Sequence, residues 1–182
     1  MISNYVDRIE GINEFKNNLY TDIRGDFTRF VDLNTFNNDF KPTYFAKSTN
    51  KVKHTMRGLH FQSYPSAEAK SVTCIKGSIF EVFLDLRRGF STFGKWTHII
   101  NSPLKNTTIY IPKGIAHGYQ TLEDDTWVIY GIDADYNPAK NFRIDCFDNY
   151  LNIQWPNSKA LISNQDANGI SWDEFVSLNL TF

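Results

Sequence analysis

The chain reads as a mostly β protein, a double-sheet jelly roll with short helices near its C-terminal end. Three observations predict this class. Apolar and polar residues alternate on a period of two through the middle of the chain, short β-rich runs recur between Gly, Pro, Asn or Asp clusters, and no long amphipathic helix competes with them. In order along the chain, Val72, Cys74 and Lys76 interleave with Ser71, Thr73 and Ile75. Lys76-Gly77 then forms a turn, and Ile79 to Leu86 return as a second strand. Further strands are expected at Trp96 to Ile100, Thr107 to Ile111 and Thr126 to Ile132. Ser163-Asn164-Gln165-Asp166 and Ser171-Trp172-Asp173-Glu174-Phe175 have the form of helix caps.

At 182 residues the chain fits one domain, 1–182, with no repeat or linker. Its 19 Lys and Arg nearly balance 20 Asp and Glu, so nothing draws it generally to nucleic acid or to an anionic membrane. An anionic ligand must be held by a local cluster. The aromatic share of 15% suits a sheet-rich core. Cys74 and Cys146 are too few for a disulfide framework and are expected reduced and buried. Charges interrupt residues 1–22, and no run is long and apolar enough to span a membrane, so a cytoplasmic protein is expected.

Two compact segments carry the chemistry. One is Arg57-Gly58-Leu59-His60-Phe61-Gln62, the other Ile111-Pro112-Lys113-Gly114-Ile115-Ala116-His117-Gly118-Tyr119. Strand parity points His117 and Tyr119 the same way, and likewise Lys70, Val72 and Cys74, and Val128, Tyr130 and Ile132. It sends Arg57 and His60 to opposite faces, so both line one pocket only where the strand kinks, for which Gly58 is a plausible bulge. Each residue also has an ordinary structural use: His60 as a core histidine, Tyr130 as a core tyrosine, Lys70 as a solvated flank and Asp166 as a helix cap. His54 and His98 read as surface or structural. His117 sits in a segment similar to the second motif of cupin jelly rolls, but Phe61-Gln62-Ser63-Tyr64 lacks the second histidine of a metal site, and two histidines underfill one.

Taken together, the ordered series resembles the dTDP-4-dehydrorhamnose 3,5-epimerase family. It comprises Asp22-Ile23-Arg24-Gly25, the Arg57 to Gln62 run, Lys70, Asp85-Leu86-Arg87, Ser91 to Trp96, the Ile111 to Gly118 run, Tyr130, Tyr136-Asn137-Pro138, Ile153 to Pro156 and Ser163 to Asp166. The resemblance implies a cupin-type jelly-roll homodimer whose N-terminal strands join the partner. It also implies a nucleoside-diphosphate 4-keto sugar as substrate, in surface-polysaccharide synthesis, with no cofactor. His60 would then be the base, Asp166 the carboxylate that orients it, and Tyr130 the acid on the opposite face of an enolate. Lys70 and His117 would stand beside the enolate oxygen. Arg57 with Arg24 would hold the diphosphate or nucleotide, and Gln62 and Tyr136 would contact substrate. Phe45 to Asn50, Arg29, Asn141 and Gly131 depart from the family pattern, which leaves open a different nucleotide or sugar, hexose or heptose. Inversion at a single carbon, a 3,4-ketoisomerase and a noncatalytic carbohydrate-binding jelly roll are the alternative readings.

Overall fold

The computed structural model describes residues 4–32 and 40–182. The first three residues of the charge-interrupted stretch 1–22, and residues 33–39 of the expected single domain, lie outside the described residues. The strands are β1 (Asn13–Lys16), β2 (Asn18–Asp22), β3 (Gly25–Arg29), β4 (Tyr44–Asn50), β5 (Met56–Gln62) and β6 (Lys70–Lys76). They continue with β7 (Ile79–Asp85), β8 (Trp96–Asn101), β9 (Thr107–Ile111), β10 (Ile115–Thr121), β11 (Thr126–Ile132) and β12 (Asn141–Arg143), followed by helices α1 (Asn164–Ala167) and α2 (Trp172–Ser177).

Two five-stranded antiparallel sheets, in the orders β1-β9-β6-β11-β4 and β12-β5-β10-β7-β8, face each other as a jelly roll. Between them lie Val72, Cys74, Phe83, Ile109, Ile111 and Val128. The other face of the second sheet is not solvated, because the C-terminal segment covers it. Phe80, Val82, Leu84 and Ala116 pack there against Ile144, Cys146, Leu151, Trp172 and Phe175. This double coverage explains why β7 and β10 are buried at every position and why β7 reads as a nearly unbroken apolar run.

Both helix caps form as their sequences predict. The Ser163 hydroxyl accepts from Asp166 N, and Ser171 with Glu174 makes a reciprocal capping box. Asp166 is therefore not itself the cap. Both cysteines are free and buried, and burial pushes each thiol up to about 12. The β2–β3 hairpin stands apart as a separate two-stranded sheet, leaving Tyr20, Ile23 and Phe27 exposed. Among the described residues, no helix is long and apolar enough to cross a membrane.

Candidate active site

One end of the space between the sheets opens into a cavity of about 230 Å³ lined by residues of both walls. Arg57 and His60 from β5 and His117 and Tyr119 from β10 form one wall. Ser48 from β4, Lys70 from β6 and Tyr130 with Ile132 from β11 form the other. The parity expected for β6, β10 and β11 accounts for most of this list.

β5 needs the kink. Arg57 pairs with Tyr119 and His60 with His117, so three steps along β5 match two along β10, which inserts one extra residue as a bulge. Gly58 sits in that bulge at φ +117°, where a Cβ would lie 2.5 Å from the Gly118 Cα. The extra residue is what places Arg57 and His60 on the same cavity.

His60 Nε2 lies 2.7 Å from Asp166 Oδ1. Asp166 is buried and held by three further contacts, two of them to its carboxylate. Arg143 Nε donates to Oδ1 at 3.0 Å, Gly58 N donates to Oδ2 at 3.4 Å, and the Asp166 backbone is anchored by Ser163. Burial alone would raise its pKa. The hydrogen bond and charge of His60, with the Gly58 and Arg143 donors, outweigh that and hold it below the usual carboxylate value. An ionised Asp166 can only accept, so in the neutral form of the His60 ring the proton sits on Nε2 and Nδ1 is the acceptor. A depressed carboxylate contributes stability that is complete above its unfolded pKa and lost as the pH falls through the folded one. Urea midpoints of the native protein and Asp166→Asn should therefore differ at neutral pH and converge in acid below the usual carboxylate range. A gap that stays constant into acid would contradict this linkage.

On β10, His117 Nε2 lies 2.9 Å from Glu81 Oε1, and Asn101 Nδ2 donates to the other Glu81 oxygen at 3.0 Å. Burial lowers the pKa of His117, against the opposing hydrogen bond and charge of Glu81. A neutral ring that gives its Nε2 proton to Glu81 has an acceptor, not a donor, at Nδ1. Lys70 is not the solvated flank of its ordinary reading. It opens β6 at 7% exposure, with Nζ 2.8 Å from Glu68 Oε1. An ammonium carries three donors, and Lys70 lines the cavity with Glu68 as its one ion-pair partner among the described residues. Tyr130 has its phenol pushed well above the ordinary tyrosine value by burial and by the neighbouring Tyr119, so it is protonated at neutral pH.

Three of the expected substrate contacts lie elsewhere. Gln62 is buried outside the cavity, donating to Ser66 O, Glu68 Oε2 and Asp135 O and accepting from Asn137 N, which ties the 135–137 loop to β5. Tyr136 on that loop is exposed. Arg24 projects from the β2–β3 hairpin, forked onto Asp22. His54 and His98 stay outside the site, with His98 stacked on Phe80.

Glu81, Glu68, Arg143, Ser48 and Asn50 are site residues that the sequence reading did not single out for a role. Glu81 carried a signal, as the only charge within Ile79-Phe80-Glu81-Val82-Phe83-Leu84. Among the described residues, no cluster of three or more His, Cys, Asp or Glu side chains has the arrangement of a metal site.

Comparison with known proteins gives a consistent result. The family model for dTDP-4-dehydrorhamnose 3,5-epimerase matches residues 7–174. A protein of that name from Mycobacterium tuberculosis is 38% identical over 122 residues, 65% of this chain and 60% of the relative's length. A dTDP-4-dehydrorhamnose 3-epimerase from Streptomyces niveus is 30% identical over 165 residues, 89% of this chain and 80% of that protein. A crystal structure of dTDP-6-deoxy-D-glucose-3,5-epimerase from Legionella pneumophila, bound to dTDP-4-keto-L-rhamnose, superimposes with a TM-score of 0.89. It is 28% identical and covers 96% of this chain and 94% of that one.

Proposed function

This chain belongs to the dTDP-4-dehydrorhamnose 3,5-epimerase family, and on that premise we propose that it inverts C3 and C5 of a nucleoside-diphosphate 4-keto-6-deoxy sugar through enolate intermediates. One observation carries the reading: a His60–Asp166 pair on one wall of the cavity faces Tyr130 on the other. The C4 ketone acidifies the neighbouring C–H bonds. His60 Nδ1 takes the proton, and Tyr130 returns one from the opposite face, which is the geometry of inversion.

Charge gathers on the C4 oxygen as the enolate forms. Lys70 is the group suited to meet it, because a neutral His117 donates from Nε2 to Glu81 and so offers only an acceptor to a substrate hydroxyl. The cavity is smaller than the ~300–1,000 Å³ typical of whole-ligand pockets, so it suits the sugar, with the diphosphate at its rim, where the exposed Arg57 stands. We assign the rest of the nucleotide to a homodimer in which the exposed β2–β3 hairpin, with Arg24, packs on a partner. The apolar side chains it leaves in solvent favour such cover. Gln62 and Tyr136 then act by shaping and flanking the mouth. A single domain working in the cytoplasm, supplying a deoxysugar for a surface polysaccharide, completes the proposal.

Turnover in heavy water with mass detection tests it. Deuterium at both C3 and C5 is expected, and Tyr130→Phe should keep exchange while inversion falls by about 10²-fold or more. Deuterium at one carbon only would favour the second reading, a single-carbon epimerase like the Streptomyces niveus relative. No exchange in the native protein would overturn both.

A further inference from the structure

A second phenol lines the catalytic cavity, and the proposed chemistry leaves it unused. Tyr119 is 1% exposed on β10, two residues beyond His117; its ring and that of Tyr130 each lie 6.3 Å from the His117 ring, and both phenols line the one cavity. It also lies 3.0 Å from Ser48 Oγ and 3.2 Å from Asn50 Nδ2, both on β4. Asn50 is fixed in turn, giving a hydrogen bond to Thr126 O at 3.0 Å and accepting one from Arg57 Nε at 2.8 Å. β4 is the edge strand of its sheet, and Ser48 is partly exposed there. Phenylalanine would fill the same apolar space. The hydroxyl is explained only by its polar neighbours, which run from the cavity it shares with Tyr130 to the sheet edge. Each hydroxyl in that line can both donate and accept.

We propose that Tyr119 is a positioning residue that reloads Tyr130, passing it a proton drawn from water through Ser48 after each inversion. This rests on the epimerase reading. When the Tyr130 O–H bond breaks and the new C–H bond forms, Tyr130 is left as a phenolate, the form that desolvation in this half-buried site disfavours. The Tyr119 O–H proton moves to that phenolate. Tyr119 takes the Ser48 proton, and Ser48 takes one from water at the β4 edge. The proton held by His60 leaves to solvent, so the cycle closes with no net gain or loss.

Tyr119→Phe preserves volume and tests the relay. In heavy water, exchange at the substrate carbons should stay near the native rate while steady-state inversion falls about 10-fold or more, after a burst of one inversion per site. Ser48→Ala should shift the exchange-to-inversion ratio in the same direction. A purely structural role would lower exchange and inversion together, and that result, or a native ratio in Tyr119→Phe, would overturn the relay while leaving the epimerase reading intact. A native protein that exchanges no deuterium would overturn the epimerase reading, and the relay with it.

Discussion

His60→Ala is expected to lower kcat/KM by about 10²–10⁴-fold and to abolish deuterium exchange, with the fold retained. The argument rests on what the ring touches. Among the described residues its one polar protein contact is Asp166, and Asp166 keeps the Arg143, Gly58 and Ser163 contacts when the ring is gone. The imidazole side chain is 34% exposed, so alanine opens space toward the cavity mouth and removes little core packing. Loss of the base should therefore appear as loss of the first chemical step, with little change in the thermal midpoint. Tyr130→Phe offers the contrast, because it removes the second proton transfer and leaves the first. Exchange separates the two variants even where both are poor catalysts. Full turnover by His60→Ala would end the mechanism, and unfolding of that variant would show that Asp166 depends on the ring more than its other contacts indicate.

The sheets that face each other were legible where a period of two met a buried face. The turn at Gly77, β9 and β11 fall where the alternation places them, and β7 and β8 differ by one residue at an end. β1, β2 and β3 escaped the same reading. β2 is exposed at all five positions and β3 at nearly all, so neither buries one face, and without a buried face no alternation is written into the sequence. At the site, Lys70 and Tyr130 line the cavity from stretches of β6 and β11 that pair without a shift, and His117 from a β10 that pairs regularly with β7, so parity applies there. It could not bring Asp166 to His60, since they are 106 residues apart and meet only when the C-terminal segment folds over the second sheet. The resemblance supplied that pairing, and Lys70 shows the same gap in reverse. A lysine at a strand start is ordinarily solvated, and Glu68 two residues earlier is the partner that makes its burial tolerable. Gln62 and Arg24 belong to matching motifs, yet one secures a loop and the other stands on the hairpin. A motif identifies a residue type at a position, and tertiary placement decides what it touches.

Gly58→Ala should cost about 2–5 kcal/mol of stability and remove most activity from whatever fraction folds. Two penalties act on the same methyl group. At φ +117° an L side chain is strained wherever it points, and this one would meet backbone, 2.5 Å from Gly118 Cα and 2.7 Å from His117 O, with no flexible side chain to yield. Gly118 gives the reciprocal picture, its own Cβ falling 2.7 Å from Arg57 O, so neither strand can retreat without breaking the β5–β10 ladder. The chain's route out of the clash is to straighten β5 and lose the extra residue. That slip returns Arg57 and His60 to opposite faces, as a regular strand requires, and moves one of them off the cavity. It also withdraws the Gly58 N–H from Asp166. Denaturant unfolding measures the first effect, and exchange per folded molecule measures the second. Native exchange in a destabilised Gly58→Ala protein would mean that His60 reaches the substrate without the bulge. Native stability would mean that the close approach of the two glycines is not what holds the site together.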